Sequence, residues 1–273
     1  MNKIYQVYQV SDSTGETLDR IFLAIKSQFS NFECKTVHYS FTRTKNQTDK
    51  IISKCKDQDR VIILYTIVDN NLAAYLKSEC DKANIPCYEA LGGLISDFSK
   101  LLKQEASHKP SAQHALDEEY YKRIEAVQFT MSHDDGKIIS DINKSDIVLI
   151  GISRTSKTPT SMYLANRGYK TCNIPIIPNK ELPEQVIKNS EKICTIGLIC
   201  DPIRLADVRK NRVQFLHEDR PKDYVDEKKI SNELDNSKKL FKKYNWPTID
   251  VTRKSVEETA ASIIKIFDIL NTK

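Results

Sequence analysis

Near the middle of the chain stands the segment Asp146-Ile147-Val148-Leu149-Ile150-Gly151-Ile152-Ser153-Arg154-Thr155-Ser156-Lys157-Thr158. Residues 146–150 form a short, nearly unbroken apolar run, which is typical of a parallel strand buried on both faces. A helix is predicted to begin at Thr158, because Pro159 falls in the first turn, where its missing N–H is harmless, and Gly168 is suited to end it. A buried strand that passes directly into a helix predicts an α/β domain.

The loop between this strand and this helix is close to a phosphate-binding loop, or P-loop. In the pattern G-x-x-x-x-G-K-[ST], backbone N–H groups surround the phosphates, the lysine neutralises their charge and the last hydroxyl binds Mg²⁺. Seven of the eight positions are compatible here, and Ser156 replaces the second glycine. The alternative is a hydroxyl-rich helix cap beside a lysine. The predicted nucleotide-binding and phosphate-binding residues are Gly151, Ile152, Ser153, Arg154, Thr155, Ser156, Lys157 and Thr158.

Further strand patterns follow at residues 171–177, 193–199 and 248–251, and the last helix has one apolar face over residues 256–270. Asp201 stands just after the second of these strands, where P-loop proteins often keep a carboxylate for Mg²⁺. It is equally suited to cap a helix before Pro202. Thr158 and Asp201 are therefore the candidate metal ligands. Downstream, Arg204 is a candidate phosphate clamp, whereas Arg209 and Arg212 are predicted to lie on a solvated helix face.

The first hundred residues repeat the alternation of strand and helix. Strands are predicted at residues 4–10, 34–40, 60–68 and 85–88, with helices at 18–29, 48–55 and 72–83 and another after Gly93. The pattern lapses near residue 110. The predicted fold is therefore α/β with two βα-type domains and parallel sheets, residues 1–110 forming the N-terminal one and residues 111–273 a C-terminal P-loop kinase-like one.

Two other segments carry polar groups that suit phosphate chemistry. One follows the first strand and is a possible second phosphate or target site, although these residues are also favoured helix caps. Its members are Ser11, Asp12, Ser13, Thr14 and Gly15. The other is His133-Asp134-Asp135-Gly136, where a carboxylate could orient an acceptor hydroxyl and accept its proton. From the residues alone, an ordinary Asp-Gly turn is the preferred interpretation.

The segment 213–245 is rich in charged side chains, including residues 218–223 and the pairs at 238–239 and 242–243. It is interpreted as a solvated helix with a connecting loop in preference to a mobile lid over the site.

Composition limits the class of protein. The chain has 273 residues and a net charge of +5, and residues 1–110 hold 15 basic and 13 acidic side chains, so no basic module indicates a nucleic-acid partner. No apolar run approaches the roughly 20 residues of a membrane span. The seven cysteines show no Cys-x-x-Cys spacing and are expected to be reduced. The expected location is the cytoplasm, with neither membrane nor nucleic acid as a partner.

Together, the four motifs resemble the pyruvate, phosphate dikinase regulatory protein family, which includes the related phosphoenolpyruvate synthase regulatory proteins. They are residues 11–17, 133–136, 151–161 and 196–202, in the order that the family has, and the serine before Lys157 is normal for it. The resemblance covers nearly the whole chain. It implies a bifunctional enzyme that acts on one threonine of the dikinase, near the catalytic histidine of that target.

In one direction, the resemblance implies a Ser/Thr kinase that uses ADP as phosphoryl donor and inactivates the target. In the other, it implies a phosphorylase that uses inorganic phosphate to remove the group and releases diphosphate. It also implies a homodimer, and Mg²⁺ is expected with the nucleotide. With motif chemistry added, Lys157, Asp134, Asp135 and His133 are the predicted catalytic residues.

Three alternatives stay open at this point. The target is either the dikinase or the synthase, because both subfamilies share these motifs. The C-terminal pattern is equally compatible with a P-loop kinase for a small metabolite. The unusual Ser156 would also suit a nucleotide sensor that binds without catalysis.

Overall fold

The N-terminal half of the chain forms a four-stranded parallel sheet with the strand order β2-β1-β3-β4. The structure is a computed structural model and describes residues 4–112, 117–178, 180–216 and 222–272. By its internal contacts the chain divides into two units, Met1–Ala115 and Leu116–Lys273. The elements of the first unit are β1 (Tyr5–Ser11), α1 (Glu16–Lys26), β2 (Cys34–Tyr39), α2 (Lys45–Lys56), β3 (Val61–Thr66), α3 (Asn70–Lys82), β4 (Cys87–Glu89) and α4 (Gly92–Leu102).

Local side-chain chemistry explains where these helices begin. Thr44 and Gln47 form a reciprocal capping box at the start of α2, and the Asp69 carboxylate accepts a hydrogen bond from the Leu72 N–H at the start of α3. Each cap satisfies N–H groups that the first turn leaves unpaired. The predicted helix 18–29 ends earlier than expected, at Lys26, and Phe29 beyond it is 60% exposed.

The C-terminal half forms a second parallel sheet with the equivalent order, β6-β5-β7-β8. Its elements are α5 (Glu118–Ser132), β5 (Ile147–Gly151), α6 (Lys157–Ala165), β6 (Thr171–Pro175), α7 (Glu184–Asn189), β7 (Cys194–Ile199), α8 (Pro202–Leu216), α9 (Glu227–Lys243), β8 (Thr248–Asp250) and α10 (Val256–Asn271), with short 3-10 turns at Asp134–Gly136, Ile142–Lys144 and Lys222–Val225. The predicted α/β class with two parallel sheets is therefore confirmed.

The central strand β5 is buried along its whole length, as the apolar run predicts. Ile147 and Leu149 pack with α6 and α10, whereas Val148 and Ile150 pack on the opposite face with residues of α7 and α9. Helices therefore cover both faces of this strand, and no polar position is needed along it.

The edge strand β6 is covered along its outer side. The Thr171 N–H donates to the Thr130 hydroxyl of α5 (3.0 Å), and the Asn173 N–H donates to the His133 carbonyl (3.3 Å). The segment that precedes β5 is in this way attached to the strand next to it.

The charged segment 213–245 is mostly helical. Ile230, Leu234 and Phe241 of α9 are buried, so one face of this helix belongs to the core of the second unit and the other is solvated. Of the charged run at 218–223, residues 218–221 lie outside the described residues.

Each sheet has a point where the chain changes direction across the strands, between β1 and β3 in the first unit and between β5 and β7 in the second. In open α/β sheets, ligands bind at this point, outside the carboxyl ends of the strands. The loop 11–15 follows β1 and the loop 151–156 follows β5, so both hydroxyl-rich motifs lie at such positions.

All seven cysteines lie within the described residues and are unpaired, five of them buried. Within the described part of the chain, no helix has the length and apolar character that crossing a membrane requires.

Candidate functional site

The segment 151–158, called here the 151–158 loop, leads from β5 into α6 and begins at a position where only glycine fits. A Cβ on Gly151 would lie 2.7 Å from the Thr155 hydroxyl oxygen and 2.9 Å from the Leu198 carbonyl oxygen. The second of these atoms is backbone of β7, which cannot move aside easily. The loop therefore starts in close contact with the neighbouring strand, which the absence of a Cβ allows.

Two residues of this loop have left-handed backbone conformations, Arg154 with φ 73° and Ser156 with φ 59°. Ser156 occupies the position where the phosphate-loop pattern has its second glycine. It adopts there a left-handed conformation, which glycine adopts more readily than other residues do. Ser156 also precedes α6 without capping it through its side chain. The first N–H groups of α6 consequently remain available to an anion.

Lys157 is buried, with 5% of its surface exposed, and its Nζ donates to the Ile152 carbonyl at 2.9 Å. Burial lowers the pKa of Lys157 to about 8, with the nearby Asp135 carboxylate opposing the shift and Arg154 adding to it. A buried ammonium group within this loop is suited to pair with a phosphate, because the charge of the anion offsets the free-energy cost of desolvating the ammonium group.

The predicted catalytic segment 133–136 lies beside this loop. His133 is buried and stacks on Phe129, with 3.8 Å between ring centroids. Its Nδ1 lies 2.8 Å from the Phe129 carbonyl and 2.9 Å from the Ser132 hydroxyl. These contacts fix the ring at the end of α5, so His133 anchors the turn in which Asp134 and Asp135 lie.

Asp134 is brought directly onto the 151–158 loop. Its Oδ1 accepts hydrogen bonds from the Thr158 hydroxyl at 3.1 Å and from the Asn173 side-chain amide at 2.6 Å, and that amide also lies 3.0 Å from the Thr158 oxygen. Thus two motifs separated by more than twenty residues in the sequence meet in one cluster. The Asn173 side chain completes it.

Sequence reasoning missed Asn173. The residue is fully buried in β6, with apolar neighbours on either side in Cys172 and Ile174. An amide in the middle of a buried strand needs hydrogen-bond partners, and this was the signal that could have found it.

Asp135 has a different environment from Asp134. It is exposed, and its backbone is left-handed with φ 52°, a conformation that Asp tolerates better than most residues. Its carboxylate is near enough to Lys157 to oppose part of the lowering of the lysine pKa that burial causes. Asp135 is therefore the carboxylate of this turn that an incoming molecule could reach.

Arg209 was predicted on a solvated helix face, and this was wrong. The side chain is 1% exposed, and its guanidinium donates to the Ser153 carbonyl (3.3 Å), the Tyr224 carbonyl (3.1 Å) and Glu233 (2.9 Å). It also lies 4.7 Å from the centre of the Tyr224 ring. The arginine thereby connects α8 and α9 to the 151–158 loop, and its hydrogen bond to the Ser153 carbonyl helps to hold the loop in place.

Tyr224 lies against the same loop, with its hydroxyl 3.1 Å from the Ser153 hydroxyl. Burial raises the pKa of Tyr224, but hydrogen bonds with Ser153 and Arg154 outweigh this and lower the pKa overall. The segment between α8 and α9 therefore contacts the site through its described part, which the preferred interpretation of 213–245 did not include.

Asp201 follows β7 at the same edge of the sheet, but its carboxylate caps a helix. Its Oδ1 accepts from the Arg204 N–H at 3.0 Å, and its own N–H donates to the Thr252 hydroxyl at 2.8 Å. Arg204 lines the same cavity of about 770 Å³ as Asp201. In the described part of the chain, no three side chains of His, Cys, Asp or Glu converge into a metal-binding group.

The loop 11–15 of the first unit borders a smaller cavity of about 200 Å³, which Lys109 and Ser111 also line. Ser11, Asp12 and Ser13 are buried, and the Asp12 carboxylate accepts from the Val68 N–H at 2.7 Å. Burial raises the pKa of Asp12. The polar groups of this loop are engaged mainly with each other and with the adjacent loops.

Comparison with known proteins yields a family model described as kinase/pyrophosphorylase, which matches residues 7–264. A protein of Pelagibacter ubique (strain HTCC1062) is 58% identical over 269 residues, 98% of each chain. Proteins of Rhizobium meliloti (strain 1021) and Chelativorans sp. (strain BNC1) are 42% and 41% identical over 96% of each chain. All three bear the name "Putative pyruvate, phosphate dikinase regulatory protein". A solved FolD dehydrogenase/cyclohydrolase of Campylobacter jejuni covers 98% of this chain and 87% of its own at 12% identity, with a TM-score of 0.20.

Proposed function

This chain belongs to the kinase/pyrophosphorylase family, and from that membership we propose that it is a bifunctional regulator of pyruvate, phosphate dikinase. It phosphorylates a threonine of the dikinase with ADP, and it removes the phosphate by phosphorolysis. The observation that carries the proposal is that the turn 133–136 is hydrogen-bonded to the 151–158 loop at the carboxyl end of β5. That loop also contains the buried Lys157. The names of the relatives support the choice of target.

The chemistry balances in both directions. In the kinase direction the threonine hydroxyl oxygen bonds to the β-phosphorus of ADP, the bridging P–O bond breaks, AMP leaves and the hydroxyl proton passes to a base. In the other direction an oxygen of inorganic phosphate bonds to the phosphothreonine phosphorus, and the bond between that phosphorus and the threonine oxygen breaks. The threonine oxygen takes up a proton, and the diphosphate that has formed is released. Because ADP carries a diphosphate group and the reverse reaction releases diphosphate, one anion site serves both reactions.

The 151–158 loop and Lys157 hold the β-phosphate in this proposal, and Arg154 offsets charge on the transferred group. Asp134 or Asp135 orients the acceptor hydroxyl and receives its proton. His133 acts through the turn that it anchors, since its Nδ1 is held by Phe129. The loop 11–15 is proposed as a second site, for a phosphate or for the target.

Mg²⁺ is part of the proposal, and the residues present fit it. The Thr158 hydroxyl and the Asp134 carboxylate are hard oxygen donors that lie side by side at 3.1 Å. When bound, the cation would neutralise charge on the phosphates.

The deciding experiment uses ADP labelled either at the β-phosphorus or at the α-phosphorus. The purified protein is incubated with each ADP, Mg²⁺ and either the dikinase or the synthase phosphorylated on its catalytic histidine. Label from β-labelled ADP on a threonine of the dikinase, and none from α-labelled ADP, is the expected result. Label on the synthase alone would replace the target. No label on either, with nucleotide binding intact, would contradict the proposal and favour a small-metabolite kinase or a sensor without catalysis.

The pKa of Lys157 makes nucleotide binding depend on pH. Because that pKa is about 8 in the free protein, the neutral amine predominates above pH 8, whereas a bound phosphate favours the ammonium form. ADP binding then takes up a proton, and Kd should rise by up to about tenfold per pH unit above pH 8. Calorimetric titration from pH 7 to pH 9.5 would measure this. Lys157→Arg, which stays charged, should flatten the dependence, and a flat profile in the unaltered protein would contradict it.

We also propose a homodimer. The first unit exposes large apolar side chains around a cavity of about 960 Å³ on one face of its sheet, among them Phe29 and Tyr88, which are 60% and 59% exposed. Exposed patches of this kind often mark an interface. Light scattering should give a mass about twice the 31.3 kDa of the chain, and a monomeric mass at micromolar concentration would exclude a stable dimer.

A further inference from the structure

The cluster of Asp134, Thr158 and Asn173 has a fixed direction of hydrogen bonding. The Asn173 amide nitrogen lies 2.6 Å from Asp134 Oδ1. Only the N–H end of the amide can make this contact, because the amide carbonyl oxygen has no hydrogen to donate to a carboxylate. The amide orientation is therefore determined. The same nitrogen lies 3.0 Å from the Thr158 oxygen, whose own hydrogen points to Asp134.

This arrangement leaves two oxygen lone pairs unused. Thr158 Oγ1 donates one hydrogen bond and accepts one, which leaves its second lone pair open. Asp134 receives both of its hydrogen bonds on Oδ1, and within the described residues no hydrogen bond reaches its Oδ2. Both oxygens belong to the start of α6 or to the turn beside it, where the phosphates of a bound nucleotide would lie.

From this geometry we infer that Asp134, together with Thr158, binds the divalent cation that accompanies the nucleotide, and that Asn173 is the positioning residue for both. The inference rests on the proposed function, since it takes a nucleoside diphosphate at the 151–158 loop as the cation's other ligand. It replaces Asp201, the carboxylate that the sequence suggested, because the cavity that Asp201 borders is lined by no residue of the 151–158 loop, whereas Asp134 is hydrogen-bonded to Thr158 of that loop.

Few protein oxygens are needed for such a site. Mg²⁺ is commonly held by one or two protein ligands plus phosphates and waters, so the absence of a three-carboxylate group among the described residues is consistent with it. The assignment also gives the two carboxylates of the turn 133–136 different roles. With Asp134 on the cation, the exposed Asp135 is the carboxylate left to orient the acceptor hydroxyl.

Asn173 contributes through Asp134 and Thr158 and need not touch the cation. Its burial fixes the side chain, and its backbone N–H is bound to the His133 carbonyl at 3.3 Å, so the amide and the turn 133–136 keep one spacing. Groups that orient metal ligands in this way commonly change metal affinity by about 10-fold to 100-fold when they are removed.

The test measures ADP binding by calorimetry with and without Mg²⁺, and Mn²⁺ binding by electron paramagnetic resonance in the presence of ADP. Asp134→Asn should remove most of the Mg²⁺-dependent gain in ADP affinity and weaken Mn²⁺ binding by at least about tenfold, while metal-free ADP binding stays within about twofold. Asn173→Ser, which loses the bridging amide, should weaken Mn²⁺ binding in the same direction. Asp201→Asn, which preserves a helix cap, should leave both readouts unchanged.

Two controls separate a metal role from misfolding. Asp141→Asn removes an exposed carboxylate paired with Lys144 in the same unit, and it should match the unaltered protein. Thr195→Val removes a buried hydroxyl from β7, and it reports the cost of disturbing the sheet. Thermal unfolding of each variant accompanies the binding data.

The results distinguish this inference from the proposed function. If Asp134→Asn binds Mn²⁺ with ADP as the unaltered protein does, or if Asp201→Asn loses that binding, the inference is overturned even where label transfer to the dikinase succeeds. If the metal readouts behave as expected but no label is transferred, the cation site stands and the kinase proposal fails.

Discussion

Lys157→Ala should lower both threonine phosphorylation and phosphorolysis by on the order of a thousandfold, the scale of losing one preorganised charge from a site where negative charge develops. In the free protein, Lys157 Nζ donates a hydrogen bond to the Ile152 carbonyl at 2.9 Å within the 151–158 loop, where the phosphates of a bound nucleotide are proposed to lie. Alanine leaves the phosphates without that charge in a buried setting. Because both reactions use one anion site, the two rates should fall together.

The measurement is the rate of label transfer from ADP and the rate of diphosphate release, each with saturating target. Lys144→Ala is the matched control, since Lys144 is an exposed lysine of the same unit that pairs only with Asp141 among the described residues. The thermal midpoint of Lys157→Ala is measured beside the rates, and a midpoint close to that of the unaltered protein assigns the loss of activity to the missing charge and not to the fold. Retention of either activity within tenfold would exclude the proposed role of the loop.

Arg209→Ala should lower the free energy of unfolding by about 3 to 5 kcal/mol, the range for removing one partner of a buried ion pair. Arg209 is 1% exposed and pairs with Glu233 at 2.9 Å, so alanine leaves that carboxylate without its charged partner. Two backbone carbonyls, of Ser153 and Tyr224, also lose their donor. Since one of them belongs to the 151–158 loop, ADP affinity should fall with stability.

Urea unfolding followed by circular dichroism measures the change. Arg204→Ala, an exposed arginine on the same helix, should change stability by less than about 0.5 kcal/mol. Adding Glu233→Ala to Arg209→Ala should recover part of the loss, because the unpaired, largely buried carboxylate is then gone. If Arg209→Ala and Arg204→Ala unfold at the same urea concentration, the buried pair contributes nothing to the fold.

The sequence predicted the α/β class and each of the eight strands of the described residues. In the second unit the signal was strong because β5 and its neighbours β6 and β7 are buried. Such strands need an uninterrupted apolar run, and the run at 146–150 is visible without any alignment. The end of helix α1 was predicted less well. Phe29 continues the helical spacing of apolar residues, yet it lies beyond Lys26 and contacts Phe32 instead. Periodicity alone cannot tell a helical turn from an aromatic cluster that follows it.

The candidate site was predictable only where its residues are consecutive. The 151–158 loop and the turn 133–136 are local patterns, but their contact through Asp134 and Thr158 depends on α5 and β6 packing together. Asn173 and Arg209 come from elements without a motif. Charged neighbours at 207 and 210 made Arg209 resemble a surface residue, and only the packing of α8 on α9 decides that it is buried.

The outer side of β6 has a further consequence for the behaviour of the protein at high concentration. An edge strand with free N–H groups is a template on which another chain can add a strand and start an aggregate. In β6 the outward N–H groups of Thr171 and Asn173 are already bonded, and Pro175 has none. The attachment that brings Asp134 to its place thus also closes this edge, so variants that loosen the turn 133–136 would open a surface for intermolecular β-pairing.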